Sequence, residues 1–165
     1  MHATALDVSG SVNVSGNIQA GHCAFHVHGP ALGGANTGAN TPLIYNLTTG
    51  LVAANRTYTN IGNAYSTTTY KFTAPVTGIY SLSASGAQSG TTPNVFRING
   101  NIAGISASTV LSCAYFPVGN SGGYIETSTI CRLTAGDTVW VQSDNTNIST
   151  SIDSFFAGAL LFVCA

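Results

Sequence analysis

From Gly21 onward the chain alternates apolar and polar residues in short stretches, and no stretch of about ten residues keeps a helical period. Gly78–Ser85 shows the pattern best, with Tyr80, Leu82 and Ala84 on one side and Ser81, Ser83 and Ser85 on the other. Similar patterning predicts strands over Cys23–His28, Thr41–Leu47, Asn55–Thr59, Thr67–Thr73, Val95–Ile105 and Val110–Val118. Ile125–Leu133, Thr138–Ser143 and Phe155–Val163 complete the set. Between them stand turn signals: a Gly- and Asn-rich loop from Gly29 to Asn40, Pro75, and the turn Ala135-Gly136-Asp137. Asn99-Gly100 interrupts its strand and predicts a hairpin turn or a bulge. About ten strands spaced this way predict an all-β sandwich or jelly roll.

The last strand breaks the alternation. Phe155, Ala157, Ala159, Leu161 and Val163 fall on one face, and Phe156, Gly158, Leu160, Phe162 and Cys164 on the other. Both faces are apolar, so the strand is covered on both sides. A second sheet of the same chain covers one side. Another subunit is the expected cover for the other, with a loop of the same chain as the alternative.

Residues before Gly21 read differently. LDVSGSVNVSGNI repeats the unit V-S-G at Val8–Gly10 and Val14–Gly16, and its apolar stretches are too short to bury a face alone. Residues 1–20 are therefore expected to be an extended attachment arm, with 21–165 as the folded domain. Leu6, Val8, Val12 and Val14 are its candidate docking residues, added as a strand to a neighbouring protein.

Composition narrows the function. Only 5% of residues are charged and the net charge is -1, against about 25% charged in ordinary domains. Arg56, Lys71, Arg97 and Arg132 are scattered, which argues against a nucleic-acid partner and against polybasic membrane attachment. The longest apolar run, Phe155–Cys164, is short of the ~20 residues a membrane helix needs, and no signal peptide is evident. Ser, Thr and Asn make up 52 of 165 residues, so the polar surface is mostly uncharged. Cys23, Cys113, Cys131 and Cys164 contain no C-x-x-C pair and are expected to be free, buried thiols.

Candidate chemistry is thin. His22, His26 and His28 share one strand face, opposite Cys23, Phe25 and Val27. They are read as a row of wet or hydrogen-bonded surface histidines, because a metal site or pH sensor needs converging groups, and the trimer geometry that would bring symmetry mates together is not in the sequence. Gly119-Asn-Ser-Gly-Gly123 looks like a serine-protease loop, but all four histidines precede Gly29, and turn glycines explain it. Among the acids Asp7, Glu126, Asp137, Asp144 and Asp153 none pairs for acid–base work. Asp137 reads as a turn carboxylate, and Asp144 with Asp153 is thin support for calcium. Four N-x-Ser/Thr sequons, at Asn13, Asn46, Asn55 and Asn147, match what the composition gives by chance. No enzyme, cofactor or metal is expected.

Three stretches carry a resemblance: YKFTAPVTGIYSLSASG (Tyr70–Gly86), LTAGDTVWVQ (Leu133–Gln142) and FFAGALLF (Phe155–Phe162). In order and spacing they resemble the complement C1q/tumour necrosis factor-like domain, with FHVHG (Phe25–Gly29) at its first strand. The resemblance implies a ten-stranded jelly roll in a homotrimer, whose first and last strands lie in the trimer-facing sheet. It places Phe156, Leu160, Phe162, His26 and His28 at the trimer interface. The arm departs from the collagen repeats or stalks of animal members and is similar to short elements of phage tail-fibre proteins. The expected protein is a bacteriophage virion component: a trimeric knob decorating or cementing the capsid. The alternative is a tail-fibre tip that binds host receptor or surface glycan. A short arm starting at Met1, spanning at most about 70 Å, favours the decoration protein over a long fibre.

Overall fold

The computed structural model describes residues 23–30, 38–46, 59–88, 91–105, 108–117, 119, 122–146, 148–151 and 153–164. The strands in chain order are β1 (Ala24–His28), β2 (Thr59–Ile61), β3 (Tyr65–Ser66), β4 (Lys71–Thr73) and β5 (Gly78–Gln88). There follow β6 (Asn94–Asn101), β7 (Thr109–Phe116), β8 (Gly123–Leu133), β9 (Thr138–Ser143), β10 (Ile148–Ser149) and β11 (Phe155–Val163). One sheet runs β2–β1–β11–β5, with β8 on the far side of β5 and β10 beside its end. The other runs β3–β4–β9–β6–β7. Every pairing is antiparallel, and no helix occurs among the described residues. The architecture is the all-β jelly-roll sandwich that the period-2 pattern predicts.

Alternate residues of both sheets meet in one core. Phe25 and Val27 of β1, Tyr80, Leu82 and Ala84 of β5, and Phe156 of β11 face Phe72, Phe96, Ile98, Val139 and Val141 of the other sheet. Phe25 is the hub: its ring stacks on Phe72 at 4.8 Å and on Tyr65 at 5.4 Å, and meets Phe156 edge-on at 4.8 Å. Each such buried ring stabilises the fold by about 1.5–3 kcal/mol. Gly158 is part of this packing, since a Cβ there would stand 2.6 Å from Phe25 Cε1 and 2.7 Å from Leu82 Cδ2.

Several boundaries differ from the expectation. Of Thr41–Leu47, residues 41–46 form no ladder: Pro42 makes one isolated bridge with Gln142, and Leu43 N–H donates to Val141 O at 2.8 Å. A proline has no N–H to extend a ladder. In Thr67–Thr73 only Lys71–Thr73 is strand. Ser66 Oγ accepts from Thr68 and Thr69 N–H, and Tyr70 takes a left-handed φ of 57°, as Asn63 does at 52°, so the chain turns before it extends. Of Asn55–Thr59, only Thr59 lies within the described residues. Asn99-Gly100 resolves as a bulge, where β6 slips against β7 between Ile98 and Asn99.

Candidate functional site

Register decides what the first sheet shows on its outside. Across the strands, Ser128, Ser83, Ala157, His26 and Thr59 lie opposite one another in a row. The next row is Ile130, Ser81, Ala159, Ala24 and Ile61. A third is Arg132, Ile79 and Phe162. The middle rows are small side chains, and they leave a shallow depression of about 370 Å³ between Ala24, His26, Ser81, Ser83, Ala157 and Ala159. Taller apolar groups rim it: Ile61 is 50% exposed, and Ile130 and Phe162 are each 68% exposed. Large apolar groups gathered exposed on one face are a feature that protein-contact surfaces share.

Two of the five residues expected at this surface do not belong to it. Phe156 lies opposite Ala84 and is 0% exposed, inside the sandwich, and Leu160 lies opposite Tyr80 and packs against the same core. Phe162 does belong, and a bulge is the reason: after Leu160 the register shifts, and Phe162 pairs with outward-facing Ile79. Strict alternation would have kept Leu160 and Phe162 on one face. The outward serines and isoleucines of β5 and β8 were not singled out from the sequence, although the alternation of Gly78–Ser85 already placed Ser81 and Ser83 opposite the core residues.

His26 and His28 both stand on this face, with ring centres 4.7 Å apart, and Phe155 meets His26 edge-on at 5.5 Å. Burial, and then the neighbouring His28, lower the His26 pKa. His26 Nε2 is buried without a hydrogen-bond partner, which departs from the expected row of wet or hydrogen-bonded surface histidines. His22 lies outside the described residues.

The ends of the sandwich differ. Residue 23 enters and residue 164 leaves at one end, where Leu160 N–H donates to Cys23 O and Cys164 N–H to Thr77 O. At the other end Gly29 N–H donates to Ser154 O, Gly122 N–H to Gln88 O and Asn145 Nδ2 to Pro93 O, so four connecting segments converge there. Gly119 and Gly122 have φ of 92° and 82°, the conformation of turn glycines, as expected for that motif. Of the polar loops Gly29–Asn40 and Asn145–Ser154, where a host or glycan ligand would be expected, residues 31–37, 147 and 152 lie outside the described residues, as do Leu6, Val8, Val12 and Val14.

Three of the acids are engaged structurally. Asp137 accepts Ala103 N–H on Oδ1 and Thr134 N–H on Oδ2, each at 2.8 Å. Asp144 is paired by Arg97, whose Nη2 donates to Oδ2 at 2.8 Å. Asp153 accepts Tyr124 Oη at 3.2 Å. No group of three or more His, Cys, Asp or Glu gathers among the described residues. All four cysteines are free, but only Cys23 is buried as expected: Cys131 and Cys164 are half-buried, and Cys113, opposite Arg97 on edge strand β7, is exposed. Burial pushes up the Cys23 thiol, and burial together with Asp137 pushes up Cys131.

A family model described as the C1q domain matches residues 38–161. Among solved structures, the globular domain of zebrafish complement 1qA protein is similar, with a TM-score of 0.58 and 16% identity over 86% of this chain and 99% of that one. Eiger TNF from S. frugiperda is similar with a TM-score of 0.63 and 13% identity, over 88% of this chain and 96% of that one. At such identity the likeness shows the fold alone. No curated protein matches by sequence.

Proposed function

The chain belongs to the C1q domain family, and on that premise we propose that it is a non-enzymatic, homotrimeric knob held in place by its N-terminal arm. One observation carries the trimer: the outer face of the β2–β1–β11–β5–β8 sheet, where Ile61, Ile130 and Phe162 stand exposed around a floor of Ala and Ser. This is the sheet that the family resemblance turns toward the trimer axis. Burying Phe162 against a neighbouring copy contributes about 2 kcal/mol per chain. Three arms then act together, so weak docking by each gives firm attachment.

The setting we propose is a bacteriophage virion, with Leu6, Val8, Val12 and Val14 docking the trimer onto capsid or tail proteins. The chain enters the domain at Cys23, opposite the end where Gly29, Gln88, Pro93, Gly122, Asn145 and Ser154 converge. That polarity suits a knob anchored at one end and presenting loops at the other. It also favours the second reading, a host-receptor or glycan-binding tip, because Asn, Ser and Thr populate the free end and loops carry recognition on a rigid scaffold.

Removal of residues 2–19 tests the attachment. The expected product is a folded trimer that no longer copurifies with particles. Particle binding at the level of the full chain overturns the role given to the arm.

A further inference from the structure

We propose that His26 and His28 chelate a divalent transition-metal ion on the outer face of β1. The two side chains are two residues apart on one strand and so project to the same side. With metal–nitrogen bonds of about 2.1 Å, two imidazoles on adjacent coordination positions hold their ring centres about 4.5 Å apart at a right angle and about 5.2 Å apart at the tetrahedral angle. The rings of His26 and His28 stand 4.7 Å apart, within that interval.

A second observation points the same way. His26 Nε2 is buried and takes no hydrogen bond, although a buried polar nitrogen without a partner is costly. A metal ion supplies the missing partner. Neutral imidazole is the form that binds metal, and burial with a neighbouring histidine favours that form at His26. Imidazole pairs suit zinc, nickel and copper(II) rather than calcium or magnesium, which take oxygen ligands. The neighbours of the pair across the sheet are Thr59, Phe155 and Ala157, and none is charged. Glu126, the acid on this face, is on β8, three strands away. Water, or the same pair from other copies, completes the coordination. The proposal stands on one chain and does not depend on the trimer.

Titration calorimetry of the full chain, prepared without a histidine tag, with zinc chloride at neutral pH tests it. Saturable binding that is lost in both His26→Gln and His28→Gln, and kept in Cys113→Ser, is the expected result. Circular dichroism checks that each variant is folded. Copper(II) added to the unsubstituted chain gives an independent reading, since two imidazole nitrogens leave their hyperfine pattern in the electron paramagnetic resonance spectrum. The proposal is overturned by an absence of zinc binding, by binding that survives both histidine substitutions or is lost with Cys113→Ser, or by a copper spectrum without imidazole nitrogens.

Discussion

Leu160 and Phe162 stand two residues apart on the last strand, yet they point to opposite faces of their sheet. Leu160 pairs with Tyr80 and packs on the core; Phe162 pairs with Ile79 and is exposed, because the ladder slips at Leu161. The bulge separates a residue that holds the fold from one available to hold the assembly.

Aspartate at the two positions should therefore act differently. Leu160→Asp places a charge against the core and is expected to lower single-chain stability by several kcal/mol. Phe162→Asp is expected to change single-chain stability by about 0.5 kcal/mol or less while weakening association. Urea unfolding of dilute protein, paired with light scattering, separates the two effects. Equal loss of stability in both variants would mean that Phe162 is a core residue after all.

Gly158 permits the closest approach in the core. Gly158→Ala sets a methyl within 2.6 Å of Phe25 and 2.7 Å of Leu82, and is expected to cost about 1–3 kcal/mol. A shifted urea midpoint with an unchanged slope is the reading to look for, and an unchanged midpoint would contradict the packing described.

Asp137 ties two loops by accepting Ala103 and Thr134 N–H groups on separate oxygens. Asp137→Ala leaves both donors unmet and is expected to cost about 3 kcal/mol. Asp137→Asn keeps one acceptor oxygen and should fall between the variant and the original chain. The order of the three unfolding midpoints is the check.

The pH dependence of stability follows from His26. Its folded-state pKa is lowered, so the unfolded chain binds the proton more readily. The contribution is fully present above the unfolded value of about 6.5 and is lost as the pH falls through the folded value. Urea midpoints should drop between pH 7.5 and pH 5 (about one unit either side of that value), and His26→Gln should reduce the drop. Equal drops in both proteins would show that His26 is not the group titrating.

Much of the fold was legible because the signal was local. Tyr80, Leu82 and Ala84 alternate with serines, and every one of the three is buried. Asn99-Gly100 announced its bulge. The bulge at Leu161 carried no such signal, since Leu160, Leu161 and Phe162 are all large and apolar, and only pairing with Ile79 and Tyr80 shows where the face changes. Phe156 was misplaced for a related reason: both faces of its strand are apolar, and which one meets the second sheet depends on long-range register. The outer surface as a whole was hard to see because its floor is Ser and Ala, residues that read as solvent-facing. The His26–His28 spacing was visible, but the closeness of the rings and the unpartnered His26 nitrogen belong to tertiary structure.

Sedimentation equilibrium of the full chain at micromolar concentration and neutral pH tests the trimer most directly, with Phe162→Asp run beside it. The expected result is the mass of three 16.8 kDa chains for the unsubstituted protein and a shift toward the single-chain mass for the variant. A single-chain mass for the unsubstituted protein, or an undiminished trimer in Phe162→Asp, would contradict assembly through the outer face of this sheet.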